Sequence, residues 1–534
     1  MIVRDNAGTI VPCLESIRPW VDEIVVVDTG SVDNTPEVCR QLGANVSSYA
    51  WIDDFSAARN ESFSRARGEW LFWMDSDDTI DAMNGKKLRE LVDGVHEPQV
   101  LGYVLQVHCP GSRTQSIADT TVVDHVKLVR SHPQVRFEGR IHEQLLMPIR
   151  QLGGEVRFTD IFVVHSGADY TLAGRRRKHE RDLRILHKDL AERPDHPFVL
   201  FNMGMTYSDM EQHVEAAGWL ERSLQLADPG ESHVRKAYAL LANCYARLMR
   251  LNDALQVCIR GRELYPKDSE LLFREGMLLH DLGRWSESVI AYQGALANDD
   301  ERHFSSVDQG ISGSKARHNL AVVYRDMGRS DLAEIEWRRV LEDGVAFSAA
   351  HRELVETLIR ERKLATAEIE IEGMMADEML RPWGWLLLAK LHVARQDLPS
   401  AKSSLEAACR ENPENEEVLE AFCRFLFEHG EPSEAMKSLS EFVQRYPHDG
   451  SAYHNLGQVF QRMSDHPSAV KAFRHSIAVR ANSAVTYVQL GHSLWTIGDR
   501  SEAIGAWEQA RRLSPEDMVI KDLLVEARRQ AKLD

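Results

Sequence analysis

Trp70-Leu71-Phe72-Trp73-Met74-Asp75-Ser76-Asp77-Asp78 is the stretch that decides how this chain is read. Its apolar, aromatic-rich opening predicts a buried strand. The strand ends by delivering Asp75 and Asp77 at i and i+2, positions that point the same way because successive strand residues alternate faces. Two carboxylates converging beyond a strand end suit a hard cation such as Mg2+ or Mn2+, which prefers oxygen ligands and keeps water or phosphate oxygens as its others. Asp-x-Asp alone is a weak signal, since a solvated strand end looks the same. Its surroundings give it weight.

Upstream runs Val21-Asp22-Glu23-Ile24-Val25-Val26-Val27-Asp28-Thr29-Gly30-Ser31-Val32-Asp33-Asn34-Thr35. The β-branched run Ile24 to Val27 reads as a strand buried on both faces of a parallel sheet. Asp28 and a Gly-Ser turn follow, then a helix start with Asn34 or Thr35 as cap and Pro36 at the first helical position. Ala44-Asn45-Val46 reads as a short second strand, followed by a helix from Phe55 to about Arg67 and then the Trp70–Met74 strand. This alternation is the Rossmann-like, doubly wound α/β pattern, in which ligands bind outside the carboxyl ends of the strands. Asp28, Asp75 and Asp77 all lie at such ends.

On these residues the chain from 1 to about 170 resembles a family 2 glycosyltransferase domain with the GT-A fold. The matching pieces are Met1-Ile2-Val3-Arg4-Asp5-Asn6, the segment from Val27 to Thr35, Ala58-Arg59-Asn60 and Asp75-Ser76-Asp77. The resemblance implies a nucleotide-sugar donor, a UDP-sugar in the first instance, and Mg2+ or Mn2+. It implies that Asp28 hydrogen-bonds the base or ribose and that Asp77 ligates the metal. Asp75 would contact the ribose or a metal-bound water, with Arg4, Asn6, Arg59 and Asn60 near the nucleotide. The first strand of this fold normally has several apolar residues before the position of Met1, so either the start lies upstream or the domain tolerates a short strand.

Sugar transfer needs electrostatic stabilisation of a leaving diphosphate and a base for the acceptor's proton. Related enzymes carry an acidic residue near Phe137-Glu138-Gly139-Arg140-Ile141-His142-Glu143-Gln144, and a glycine followed by His-Glu resembles the variant found in members with helical repeats. Glu143 is therefore the expected base and His142 the second choice, although the pair would equally suit a strand end or a helix cap. No second histidine follows at i+4, which excludes a zinc-protease motif. His165 follows another apolar strand, Ile161 to Val164. By the same resemblance it is a further metal ligand, and its imidazole would favour Mn2+; a plain hydrogen-bonding role is the alternative.

From about residue 197 the apolar residues take a helical period and a unit recurs. Gly204/Tyr207/Ala216, Ala242/Tyr245/Ala254, Gly276/Leu279/Ser288 and Ala321/Tyr324/Ala333 share one spacing. Ala389/His392/Ala401, Cys423/Leu426/Ala435, Gly457/Phe460/Ala469 and Gly491/Leu494/Ala503 continue it, and these last four begin 34 residues apart. Prolines 266, 413, 447 and 515 close units. The period is that of the tetratricopeptide repeat, a helix-turn-helix that stacks into a superhelix with a concave binding face. About eight to nine repeats are expected over 197–534, with a weaker unit between 346 and 380. A polar loop is expected at 299–314 and a charged helical cap beyond Asp517. A helical linker occupies 171–196. Its run Arg175-Arg176-Arg177-Lys178 either contacts a diphosphate or anionic acceptor or forms a solvated helix face.

Net charge is −18, which argues against general nucleic-acid or anionic-membrane binding. No apolar run approaches the ~20 residues of a membrane helix, and no secretory signal opens the chain. Seven scattered cysteines without a Cys-x-x-Cys pair fit reduced thiols in a cytoplasm. Two functions are compatible with the whole. One is a metal-dependent, inverting transferase, similar to bacterial peptide or protein S- or O-glycosyltransferases, acting on a peptide, protein or glycan held by repeats that could also dimerise. The other is an inactive repeat scaffold that retains a nucleotide-sugar-binding domain.

Overall fold

The computed structural model describes residues 1–94, 96–109, 121–166, 171–297, 307–342, 348–411, 415–430, 432–479, 483–515 and 517–530. They fall into two compact units, Met1–Ala350 and His351–Asp534.

The first unit opens with strands β1 (Ile2–Val3), β2 (Val25–Asp28) and β3 (Asn45–Ser48), interleaved with helices α1 (Ile10–Ile17) and α2 (Thr35–Gln41). The three strands form a parallel sheet in that order, with Val3 opposite Asp28 and Asp28 opposite Ser48. Val26 and Val27 are fully buried, as a parallel strand covered on both faces requires. β1 has two residues.

Helix α3 (Phe55–Arg65) is capped by Asp54, whose carboxylate accepts from Ala57 N at 2.8 Å. Strands β4 (Trp70–Phe72), β5 (Asp78–Thr79), β6 (Val100–Cys109), β7 (Thr121–Arg130) and β8 (Glu155–His165) follow, with helices α4 (Ala82–Asp93) and α5 (Leu146–Gln151) between them. They make a second sheet in the order β4-β7-β6-β8-β5. The strand ending at the aspartates therefore does not extend the parallel sheet. It pairs antiparallel with β7, Trp70 opposite Arg130. Alternating α and β elements do not fix which sheet a strand joins; the partner here lies far downstream in the chain, and local pattern does not encode it. The consequence for the site is direct, because β5 pairs with β8 in the register Asp78 to His165.

Helix α6 (Leu172–Glu192) leads into helical pairs that begin with α7 (Pro197–Asp209), α8 (His213–Leu226) and α9 (Val234–Arg247). The expected weak unit is present as helices Ser348–Arg360 and Leu364–Ala376, and the terminal cap as Met518–Gln530. Small residues sit where two helices of a repeat touch. A Cβ at Gly457 would lie 2.6 Å from the Phe473 ring, and one at Gly491 would lie 2.3 Å from the Trp507 ring. One expectation changes: the segment read as a loop at 299–314 lies outside the described residues as far as 306, but Val307–Asp308 is a strand, β9, antiparallel to Thr121 and Val122 of β7. Sequence composition marks the segment as polar but cannot show that the far edge of a sheet needs a partner.

Candidate active site

The aspartate run turns immediately after β4. Trp73 N donates to Lys127 O at 3.0 Å, which still follows the sheet, and Asp78 N donates back to Asp75 O at 3.1 Å. This turn splits the acids into different environments. Asp78 is fully buried and pairs with Lys127 Nζ at 2.6 Å, itself 1% exposed. Its other contacts are Asp75 N, which donates to Oδ2 at 3.0 Å, and His165 Nδ1, 2.9 Å from Oδ1. Burial alone would raise the Asp78 carboxyl, but Lys127 and His165 outweigh it and hold it below the ordinary carboxylate range.

Asp78 is not among the residues singled out from sequence, although it ends the quoted run. It bonds His165 at Nδ1, the arrangement in which a carboxylate fixes the orientation of an imidazole. The Asp78 hydrogen bond raises the His165 pKa against the opposing effect of burial. Asp77 Oδ1 is 3.5 Å from His165 Nδ1. Burial, offset in part by His165, pushes the Asp77 carboxyl up. One ligand atom each from Asp75, Asp78 and His165 lie within 4.8 Å of one another, and Asp77 adjoins them. Crowded carboxylates beside an imidazole are the donor set a divalent ion takes, with Mn2+ favoured by the nitrogen. Asp78 already accepts from Lys127, Asp75 N and His165, so Asp75, Asp77 and His165 are the residues that could hold the ion.

Arg59 is the hub on the other side of Asp75. It is 6% exposed, donates through one terminal nitrogen to Asp75 Oδ1 at 2.6 Å and through Nε to Glu143. Its guanidinium lies 4.5 Å from the centre of the Trp73 ring. Arg59 thus ties together the two acids for which sequence suggests separate roles. Burial would raise Asp75, but Arg59 and Lys127 draw it far below its ordinary value. Asn60, expected near the nucleotide, instead clamps the backbone of Phe137: Nδ2 donates to Phe137 O at 2.9 Å and Oδ1 accepts from Phe137 N at 2.8 Å.

That clamp positions the loop bearing His142 and Glu143. Phe55 N donates to Arg140 O at 2.8 Å, Ser56 Oγ to Gly139 O, and Glu138 and Gln144 exchange two backbone bonds of 3.0 and 2.9 Å. Within this closed loop His142 has φ +54°, the left-handed region a side chain seldom adopts. Burial holds its imidazole below the ordinary histidine range.

A cleft of about 1030 Å3 lies over these residues. Arg4, Asn6 and Thr29 line one side, Arg59 and Asp75 to Asp77 its floor, and His165 one end. Asp28 stands behind the turn, 7% exposed, accepting from Ser31 N at 3.1 Å and from the Ser31 hydroxyl. Helix α6 lines the same cleft with Arg175, Arg177, Lys178, Arg181 and Arg184. Within the basic run Arg176 pairs with Glu180 at 3.0 Å, its side chain 83% exposed, and Arg175, Arg177 and Lys178 are exposed as well while lining the cleft. Periodicity places 174, 177, 178, 181 and 184 on one face of the helix, with Arg175 beside it. A second cavity, about 490 Å3, meets the cleft at Arg59, Asp75, Lys178, His179 and Asp209. It holds His142, Glu143, His125 and residues from α7 and α9.

Carboxylates and an imidazole at strand ends thus line one cleft together with the cations of α6, in an α/β domain followed by a helical repeat array. Comparison with known proteins assigns the families. Residues 1–146 match glycosyl transferase family 2 and residues 392–458 match the tetratricopeptide repeat, so the chain joins a family 2 glycosyltransferase domain to tetratricopeptide repeats. A TPR repeat-containing protein of Synechococcus elongatus is 29% identical over 236 residues, 43% of this chain and 56% of that protein. The prophage-derived glycosyltransferase SunS of Bacillus subtilis is 24% identical over 296 residues, 53% of this chain and 66% of SunS. The chain thus spans between half and two thirds of the length of these relatives. Among solved structures, a tetratricopeptide repeat protein from Parabacteroides merdae covers 56% of this chain and 98% of its own, at 14% identity and a TM-score of 0.38. Among the described residues no helix is long and apolar enough to cross a membrane.

Proposed function

We propose that the chain transfers a sugar from a nucleoside-diphosphate donor, UDP-linked in the first instance, to a peptide, protein or glycan acceptor with the help of Mg2+ or Mn2+. The observation that carries this reading is the cleft lined both by Asp75, Asp77 and His165 and by the cations of α6. Bound at the three ligands, a divalent ion would supply positive charge to the leaving diphosphate. The protein's own part begins with Arg175, Arg177, Lys178 and Arg181, which offset the remaining phosphate charge within a partly enclosed site, where such contacts are stronger than in water. Arg4, Asn6 and Thr29 stand where the nucleoside would lie, with Asp28 shaping the turn that carries Thr29.

Glu143 remains the acceptor-side acid of this reading. It faces the smaller cavity, and its tie to Arg59 fixes the carboxylate beside Asp75, so acid and donor floor are positioned by one guanidinium. An acceptor hydroxyl or thiol entering through the smaller cavity would lose its proton on that side, with inversion at the sugar as the family resemblance implies. The repeats would hold the acceptor or a partner protein, and dimerisation through them belongs to the same proposal.

The test is nucleotide release from a panel of nucleotide sugars, with and without Mn2+ or Mg2+ and without acceptor. Slow release from one donor, dependent on metal and lost in Asp77→Asn, is expected. An inactive scaffold predicts nucleotide binding with no release from any donor, even when acceptor peptides and glycans are added.

A further inference from the structure

The smaller cavity has a feature that the transferase reading leaves unused. Its far wall consists of repeat helices: Phe198, Phe201, Asn202, Met205 and Asp209 form one face of α7, and His233 precedes α9. Asn202 is 2% exposed and His233 3% exposed. Among the described residues, Asn202 Oδ1 and His233 Nε2 have no hydrogen-bond partner. Leaving such a buried polar atom unsatisfied is costly, and both belong to residues that line the same cavity. Burial holds His233 at a pKa of about 4, so its ring is neutral near pH 7. Phe198 and Phe201 enclose that ring, at centroid distances of 5.5 and 5.2 Å.

We propose that this cavity is the acceptor site and that it holds an extended peptide by its backbone, with Asn202 and His233 bonding main-chain amide groups. The proposal rests on the transferase reading and names its acceptor class. Three properties favour a peptide. An amide group supplies the donor that Asn202 Oδ1 lacks, and the next carbonyl or N–H meets His233. The shelf of Phe198, Phe201 and Met205 is apolar and takes flanking side chains without requiring a particular sequence. The volume, about 490 Å3, lies in the ~300 to 1,000 Å3 range of sites that enclose a ligand of drug size. That is room for a few extended residues and too little for a folded surface. The peptide's nucleophilic side chain would then reach the opening at Arg59 and Asp75, where the two cavities meet. The first repeats thereby become part of the active site, in addition to any recruitment by repeats further along.

The experiment uses the full chain and a pooled library of nine-residue peptides, each with one central Ser, Thr or Cys. Two quantities are read with a nucleotide-sugar panel and Mn2+: nucleotide release without peptide, and peptide glycosylation by mass. In Asn202→Ala, release should persist while the KM for peptide rises about tenfold or more; His233→Gln should behave alike. Equal loss of release and transfer, or a peptide KM within twofold of the wild type, overturns the proposal. So does wild-type transfer to oligosaccharides with none to the library. Hydrogen exchange of the wild type gives a reading independent of turnover and of variant folding. Added library should slow exchange over 197–209, and no slowing there overturns the proposal even if nucleotide is released. Absence of both nucleotide release and nucleotide binding would instead count against the transferase reading.

Discussion

Replacing Asp78 with Asn should damage the catalytic domain more than any other single change in the aspartate run. The carboxylate and its partner Lys127 are both within 1% of complete burial and 2.6 Å apart. Their mutual attraction is set against a desolvation cost of several kcal/mol per ion. The neutral amide would leave Lys127 charged, buried and unpaired over the Trp73 ring, whose centre lies 4.0 Å from its ammonium. Removing one partner of such a pair costs about 3 to 5 kcal/mol. The amide would also lose one of the two oxygens that serve Asp75 N and His165 Nδ1.

Denaturant unfolding, followed by tryptophan fluorescence, measures the cost. Lys127→Met should destabilise by a similar amount, since it orphans Asp78 instead. The double variant should lose less than the sum of the two, by about 0.5 to 3 kcal/mol of coupling. In the folded fraction of Asp78→Asn, metal affinity should fall about 10 to 100-fold, the usual effect of removing a residue that orients a ligating histidine. A cost below about 1 kcal/mol, or additive single effects, would refute the buried-pair account. Unaltered metal affinity would refute the orienting role of Asp78.

Other perturbations separate binding from folding. Asp77→Asn should leave stability within about 1 kcal/mol, because Asp77 is partly exposed and has no buried cation to orphan, yet it should weaken metal-dependent nucleotide binding in a calorimetric titration. Arg59→Met strands Glu143, 10% exposed, and Asp75, 34% exposed; the second is wetter, so the loss should sit near the lower end of about 3 to 5 kcal/mol in the same unfolding assay. In the second unit, Gly491→Ala would gain up to about 1 kcal/mol of helix propensity and lose about 1 to 3 kcal/mol by pressing a methyl into Trp507, so thermal unfolding should show net destabilisation. Asp53 is held down at about 2 by Lys188, 2.6 Å away, and Arg184, 3.0 Å away. A depressed carboxyl stabilises the fold fully above its unfolded value near 4 and loses that contribution as pH falls toward 2. The gap in melting temperature between wild type and Asp53→Asn should close across that window and stay constant from about pH 5 to 7.

The sequence made the chemistry more legible than the connectivity. That Asp75, Asp77 and His165 would come together at strand ends was readable because each follows an apolar run, and in such folds strand ends converge. Asp78 and Lys127 were not, since a buried ion pair across 49 residues leaves no local pattern. The family resemblance put Asn60 with Arg59 near the nucleotide. Consecutive helical residues point about 100° apart, however, and Asn60 turns to the Phe137 backbone. The repeats announced themselves by small residues at a fixed period, for which close helix contact at Gly457 and Gly491 is the cause. The basic run at 175–178 was ambiguous in sequence, as charge alone does not say what a helix faces.

The most direct test of the central claim is a calorimetric titration of UDP into the wild-type protein, in Mn2+ and again in a chelator. The account predicts one site per chain, at least about tenfold tighter with Mn2+, and a further loss of affinity when Arg175 and Lys178 are both changed to Ala. Equal affinity with and without the metal, unaffected by the double change, would contradict it.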